Sequence, residues 1–218
     1  MAANLDDGIL ALWEGYRDKR LRDRVIQCAG ALSDRDFTAV PVPTASEANR
    51  VMVGMVPLHR TVLYWEDPVL EELGIVATLE ARGNSTRSAM PLARGRRRGR
   101  VPGRSVFVSS VCAVTMDGAL VKVSPELLPV WGPGRAPESL ILVAGVNHIV
   151  DTIDEALRLA KDECVPQCLK RMGLDYDCVP GERCVECASP PPMCAVNTVV
   201  TRQPGSPDIT VVLIGEKY

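Results

Sequence analysis

The sequence predicts an α/β fold with a helix-flanked, largely parallel sheet and a smaller antiparallel element towards the C-terminus. In the first half, amphipathic helical segments alternate with short apolar strands, which is the order that builds a parallel sheet. Further on, the run 140–146 is almost wholly apolar, as expected of a strand that is covered on both faces. No internal repeat is found, and 218 residues suffice for one domain, 1–218, with a substantial core.

The first half supplies the alternating helices and strands. Helical spacing of apolar residues runs from Gly8 to Leu32, and a short strand follows at 37–42. Thr44 is the expected N-cap of the next helix, because Glu47 stands three residues on as in a capping box. A second strand at 61–65 then leads into a helix that opens with Asp67-Pro68, since proline suits the first helical turn.

The second half adds strands and a hairpin. A buried strand is expected at 105–111, and a hairpin over 113–123 turns at Asp117-Gly118, a dipeptide that favours tight turns. A helix with acidic residues in its first turn follows at 151–160. Two further strands are expected at 198–202 and 209–214, on either side of a turn rich in proline and glycine.

Composition excludes several classes of protein. Hydrophobic residues make up 46% of the chain and charged residues 24%, which is typical of a globular protein rather than a disordered chain or a coiled coil. A net charge of −2 gives no general attraction to nucleic acid or to an anionic membrane, and no apolar run reaches the ~20 residues of a membrane span. The acidic N-terminus lacks the pattern of an export signal, so we expect a cytoplasmic protein.

An arginine-rich stretch interrupts the pattern between residues 87 and 104. Six arginines lie among glycines and prolines there: Arg94, Arg96, Arg97, Arg98, Arg100 and Arg104. A phosphate or nucleic-acid patch is one interpretation, but aromatic stacking partners are absent. We therefore expect a solvated, mobile loop that trypsin cuts first.

Eight cysteines are the most informative feature of the composition, because a reducing compartment favours metal binding or thiol chemistry over disulfides. Within a segment 164–194 rich in cysteine, four thiols occur at the spacing C-x5-C-x2-C-x6-C, namely Cys178, Cys184, Cys187 and Cys194. Four thiolates at short spacing suit tetrahedral zinc, which we favour slightly, or an iron–sulfur cluster. The alternative is a set of unligated thiols or partial disulfides. Only two histidines occur, which argues against a histidine-rich hydrolase site.

The other four cysteines carry weaker signals. Cys164 and Cys168 could supply replacement ligands, but their four-residue spacing at a helix end also fits two partly buried small side chains, which we prefer. Cys28, on the first helix, and Cys112, in a strand, are expected to be inert residues that face the core.

The C-terminal half resembles the LUD (lactate utilization) domain family, whose members include the LutC/YkgG-type proteins. The match is carried by residues 110–121 and 143–150, by Pro166 and Lys170-Arg171, by the four-cysteine loop with Ser189-Pro190, and by 211–216. One branch of the family has this cysteine spacing. The N-terminal part is weakly similar, so the resemblance covers nearly the whole chain and is specific from Ser105 onward.

The resemblance implies one α/β domain related to the NagB/RpiA/CoA-transferase superfamily, linked to lactate oxidation alongside separate iron–sulfur or oxidoreductase subunits. Two glycine-rich turns of the family are replaced here, by Leu63–Pro68 and by Pro125–Pro129. Glycines at such turns let the backbone approach an anion closely. Their loss predicts weak or absent binding of small anions.

Three hypotheses about function follow. The first is an accessory factor in organic-acid and redox metabolism with a metal bound by the cysteines. The second is an enzyme of the CoA-transferase or sugar-phosphate-isomerase kind that acts on a small anion at the carboxyl ends of the parallel strands. For it the resemblance suggests four binding groups: Asp117, Asn147, Lys170 and Arg171. The third is a non-catalytic, divergent member whose metal loop holds the C-terminus. No catalytic residue is assigned.

Overall fold

The computed structural model describes residues 7–89, 104–124, 137–187 and 193–217. The strands in these ranges are β1 (Thr38–Val42), β2 (Thr61–Tyr64), β3 (Ser85–Ser88), β4 (Val106–Ser110), β5 (Ala113–Thr115), β6 (Leu120–Ser124), β7 (Ser139–Gly145), β8 (Ile149–Val150), β9 (Val196–Val200) and β10 (Asp208–Ile214). The α-helices are α1 (Asp7–Ala11), α2 (Lys19–Ser33), α3 (Ala45–Met55), α4 (Pro68–Glu72), α5 (Ile75–Ala81), α6 (Ile153–Leu159) and α7 (Val165–Arg171). A 3₁₀ turn spans Val146–His148, and a π-helix spans Ala160–Cys164.

The larger sheet confirms the predicted α/β class. Its six strands are all parallel, in the order β1-β10-β7-β4-β2-β3. The smaller sheet is mixed, in the order β8-β5-β6-β9, with β5 and β9 antiparallel to β6 and β8 parallel to β5. The two strands expected near the C-terminus both form, but they join different sheets: β9 pairs with β6, whereas β10 lies between β1 and β7 in the parallel sheet.

The parallel sheet is buried on both faces because side chains alternate along each strand. In β7, Leu140 and Leu142 pack on the side of α2, while Ile141 and Val143 pack on the side of α3, α4 and α5. This explains why the central strand is an almost continuous apolar run in the sequence. One hydrophobic layer therefore packs on each face of the sheet and fixes the positions of its carboxyl ends.

The predicted long helix at 8–32 is wrong in one respect, because the structure divides it into α1 and α2. Gly15 adopts a positive φ of 84° between them, a conformation that costs glycine little. Asp18 then starts α2 as its N-cap, where its side chain accepts a hydrogen bond from the Leu21 N–H at 3.1 Å. The glycine with positive φ and the N-cap residue after it therefore separate two helices, although the helical spacing of apolar residues continues across them.

The predicted cap of α3 is confirmed. Thr44 Oγ1 accepts a hydrogen bond from the backbone N–H of Glu47 at 3.3 Å. The carboxylate of Glu47 accepts from the guanidinium of Arg50 at 2.6 Å, so it stabilises the first turn through an ion pair.

The predicted hairpin is confirmed, with Gly118 at its tip. Gly118 has a φ of 87°, and a Cβ there would lie 2.6 Å from the carbonyl oxygen of Ala31. The hairpin tip therefore packs directly on the backbone of α2, and only glycine fits this position. Arg35 reaches across to hold the Asp117 carboxylate at 2.6 Å.

Two sequence predictions concern residues outside the described ranges. The first concerns the arginine-rich stretch, of which residues 90–103 are not described, and the second concerns the segment Pro125–Pro129. Arg87 lies in β3, and Arg104 follows the gap. Among the described helices, none has the length and apolar character needed to cross a membrane.

Candidate functional site at the carboxyl ends of the strands

A cavity of about 100 Å³ opens where β2 and β4 end, between these strands, the last residues of β6 and the helix α7. A cavity of this volume suits a ligand of few heavy atoms. The carboxyl edge of a parallel sheet is where folds of this class place their ligands. The polar and sulfur-bearing side chains around the cavity are Asp67, Ser110, Cys112, Lys122, His148, Cys164, Gln167, Cys168, Arg171 and Met193.

Asp67 links the end of β2 to the end of β4. One carboxylate oxygen, Oδ1, accepts from the Val69 N–H at 2.8 Å and caps α4. The other, Oδ2, accepts from the Ser110 N–H at 3.2 Å and from the Ser110 hydroxyl. The side chain is only 5% exposed, so its charge needs the ion pair described next.

Lys122 enters the site from β6 and carries its ammonium into the buried region. Its Nζ lies 3.7 Å from Asp67 Oδ2 and donates to the Ser110 carbonyl oxygen at 2.8 Å and to Ser109 Oγ at 3.4 Å. Burial acts to lower the pKa of Lys122, but the Asp67 carboxylate and neighbouring thiols outweigh it and raise that pKa. The lysine therefore stays charged and fixes the positions of β4 and α4.

Three thiols line the same cavity. Cys164 Sγ donates towards the Cys112 carbonyl oxygen at 3.4 Å, and the Val123 N–H donates to the Cys112 sulfur at 3.4 Å. A hydrogen bond between the Cys112 and Cys164 side chains, helped by the Lys122 charge and opposed by burial, lowers the pKa of the Cys112 thiol. The interaction between the two thiols, together with burial, raises the pKa of Cys164. Burial raises the pKa of Cys168 to about 11, so this thiol stays protonated at neutral pH.

His148 and Arg171 complete the polar lining. Burial lowers the pKa of His148, partly opposed by the Asp67 carboxylate, so the imidazole is neutral near pH 7. Arg171 ends α7 and is half exposed, with Nη1 3.3 Å from Glu72 Oε2. It also borders an adjoining cavity of about 480 Å³, which shares Trp65, Asp67 and Pro68 with the first. Arg171 thus stands where the two cavities meet.

The structure separates the four substrate-binding residues suggested by the family resemblance. Arg171 lines the cavity, whereas Asp117, Asn147 and Lys170 do not. Asp117 is held at the hairpin tip by Arg35, and Lys170 forms an exposed ion pair with Glu182. Asn147 is exposed in the 3₁₀ turn, next to His148.

The predicted metal ligands lie in a separate place. Cys178, Cys184, Cys187 and Cys194 all line one cavity of about 230 Å³, together with Lys161, Val165 and Glu186. Burial raises the pKa values of Cys178 and Cys194, and the proximity of the other thiols of the set raises them further. In the part of the chain that the structure describes, no three His, Cys, Asp or Glu side chains are positioned as they stand to hold a metal ion.

Comparison with known proteins now places the chain in a family. The LUD domain family model matches residues 27–214. The chain belongs to the LUD domain family. No curated protein sequence matches it significantly.

Two solved structures are similar to this LUD domain. A DUF162 family protein from Deinococcus radiodurans is 11% identical, with a TM-score of 0.45 over 90% of this chain and 99% of that chain. The delta subunit of eIF2B from Chaetomium thermophilum is 15% identical, with a TM-score of 0.34 over 52% of this chain and 51% of that chain. Similarities at this level carry no argument about function.

Asp67 and Lys122 are site residues that the sequence did not predict. In the sequence Asp67 is recognised only as a helix start, and Lys122 is not singled out. Two signals were available for these residues in the LUD domain. An Asp-Pro pair directly after a buried strand puts a carboxylate at the carboxyl edge of the sheet. Lys122 is the one charged residue within the apolar strand β6, and a lysine in that setting needs a buried partner. Cys112 is buried as expected, but it also lines the cavity.

Proposed function

We propose that this LUD domain binds a small organic acid of the lactate class in the cavity at the carboxyl ends of β2 and β4. The observation that carries the proposal is the small cavity lined by the half-exposed Arg171 and the buried Lys122. Its size suits an acid of a few carbon atoms, and the family resemblance links LUD members to lactate oxidation. In that role the domain acts beside separate iron–sulfur or oxidoreductase subunits.

The two cations have different tasks in this proposal. Lys122 is occupied by Asp67, Ser109 and Ser110, so it holds the site in shape rather than contacting the ligand. Arg171 engages Glu72 through one nitrogen, and its guanidinium fork has further donors to grip a carboxylate at two points. The backbone donors of a glycine-rich turn are missing, so we expect dissociation constants of about 1 mM.

Calorimetric titration of the full chain with L-lactate, D-lactate and pyruvate tests the proposal. We expect Arg171→Gln to weaken binding about tenfold, the loss typical of one charge-assisted hydrogen bond. Arg50→Gln is the matched control, because Arg50 is also an exposed arginine paired with a glutamate on a helix. Equal binding of the neutral amide lactamide, or no effect of Arg171→Gln, would contradict the proposal.

A second candidate function concerns the cysteine loop, where one specific observation favours a metal. All four predicted ligands line the same cavity, and thiolates are ligands that zinc and iron–sulfur clusters accept. The sulfurs would have to move from their present positions in this partly exposed loop to bind one metal. A bound zinc ion, which we favour over a cluster, would join residues 178–187 to Cys194 and so stabilise the path of the chain into β9.

Metal analysis of the purified protein tests this candidate, together with its visible absorption spectrum. One zinc per chain without colour is the expected result, whereas a brown protein would indicate an iron–sulfur cluster. We expect Cys184→Ser with Cys187→Ser to remove the metal and to lower the melting temperature, because metal binding is coupled to folding. Cys168→Ser is the control outside the loop. Unchanged metal content and melting temperature in the double variant would reject a metal site.

A further inference from the structure

Neither function above uses the thiols of the first cavity. Cys112 follows the end of β4 and is 7% exposed, while Cys164 is partly exposed and faces it from the π-helix. Cys164 Sγ lies 3.4 Å from the carbonyl oxygen of Cys112, and both side chains pack in one cluster with Val123 and Ala160. Two thiols from distant parts of the chain are thus neighbours at the wall of a cavity.

The π-helix explains how Cys164 reaches this position. Pro166 has no N–H and its ring would clash with the carbonyl of residue 162 in a continuous α-helix. The chain widens to a π-helix over Ala160–Cys164 before α7 continues. Such local widenings are frequent at functional sites, because they redirect one side chain from a regular helix. Here the residue at the end of the widened turn is Cys164.

We propose that Cys112 and Cys164 form a redox-active thiol pair that reduces small disulfides entering the cavity. The Cys112 sulfur attacks one sulfur of the disulfide RSSR, which forms a mixed disulfide and releases the first thiol, RSH. The Cys164 thiol then attacks Cys112 of the mixed disulfide and releases the second RSH. The balance is one RSSR reduced to two RSH, with one Cys112–Cys164 disulfide formed and no further oxidant needed.

The surroundings assign the two roles. The Cys112 sulfur accepts a hydrogen bond from the Val123 N–H, and the Lys122 ammonium lines the same cavity. Both stabilise negative charge on this sulfur. Cys164 donates to the Cys112 carbonyl oxygen, which holds its sulfur next to Cys112, where it can resolve the mixed disulfide. This activity goes beyond organic-acid binding and does not depend on it.

The test uses 2-hydroxyethyl disulfide, a small disulfide, as the probe with the full-length protein, acid quenching, alkylation of the remaining thiols and peptide mapping by mass spectrometry. In the wild-type chain we expect a Cys112–Cys164 disulfide and two molecules of 2-mercaptoethanol released per disulfide formed. Cys164→Ser should instead retain one 2-mercaptoethanol group on Cys112. Cys28→Ser is the matched control, since Cys28 is buried, donates to the Thr115 carbonyl oxygen and lies outside the cavity; it should match the wild type.

The wild-type experiment decides the proposal even if a variant fails to fold. Absence of a Cys112–Cys164 disulfide, or modification confined to the four loop cysteines, would overturn it. A failure of lactate binding would leave this result unchanged, because the two experiments measure different ligands.

Discussion

The cavity at the carboxyl ends and the cysteine loop both gather thiols, but they are built in opposite ways. The cavity joins residues that are far apart in sequence, such as Asp67 with Ser110 and Lys122, and most of its polar groups are buried. The loop is held by short-range turns, for example Arg183 N–H to the Cys178 carbonyl, and by the exposed Lys170–Glu182 pair. Apart from changes to the four cysteines, substitutions should therefore destabilise the protein strongly around the cavity and only weakly in the loop.

Asp67→Asn should give the largest effect. Asparagine still caps α4, so the change mainly leaves the Lys122 ammonium buried without its countercharge. Breaking a buried ion pair in this way costs about 3 to 5 kcal/mol of unfolding free energy. Urea unfolding measures it, with Glu182→Gln as the control in the loop, where an exposed pair contributes less than about 1 kcal/mol. Similar losses in both variants would remove the contrast between the two regions.

Gly118→Ala and Gly181→Ala compare the same substitution at the hairpin tip that packs on α2 and in the cysteine loop. At position 118 a Cβ meets the backbone of Ala31 and the φ is positive, so we expect a loss of about 2 to 4 kcal/mol from backbone strain and overpacking. At position 181 no described atom lies within 4 Å of a Cβ, and we expect little change. Melting temperatures of the two variants check this. A tolerated alanine at position 118 would mean that the hairpin can move away from α2.

Local signals explain what the sequence could predict. The spacing of the four loop cysteines lies within 17 residues and is visible without any fold. The parallel sheet, the Thr44 cap and the Asp117-Gly118 turn follow from apolar alternation and turn chemistry, which are also local. The cavity was not predictable in detail, because its members come from β2, β4, β6 and α7, and only the strand order brings them together.

The strand order also explains why Asp117 and Arg171 lie apart in the structure. Both residues match the family pattern, but a match in sequence does not state which edge of which sheet a residue occupies. Asp117 lies at the tip of the β5–β6 hairpin in the smaller sheet, against α2, whereas Arg171 ends the helix beside the carboxyl edge of the larger sheet. Topology therefore decides the site, and a resemblance alone could not divide these residues.

The smallest expected effect concerns the pH dependence of stability, where the two histidines of the chain form a natural pair. His148 is partly buried beside the cavity, and its pKa is lowered from 6.5, first by burial and then by the Lys122 charge, against the opposing Asp67 carboxylate. The unfolded chain then binds a proton at a pH where the folded chain does not. The stability contributed by neutral His148 is therefore fully present above pH 6.5 and is lost as the pH falls from 6.5 through the lower pKa of the folded state.

His148→Gln should therefore reduce the loss of stability between pH 7 and pH 5 relative to the wild type. Urea midpoints at a series of pH values measure the difference between the two curves, in which the titrating carboxylates cancel. His59→Gln is the control, because His59 is exposed on the loop before β2. If His59→Gln flattens the curve as much as His148→Gln does, burial beside the cavity is not the cause of the pH dependence.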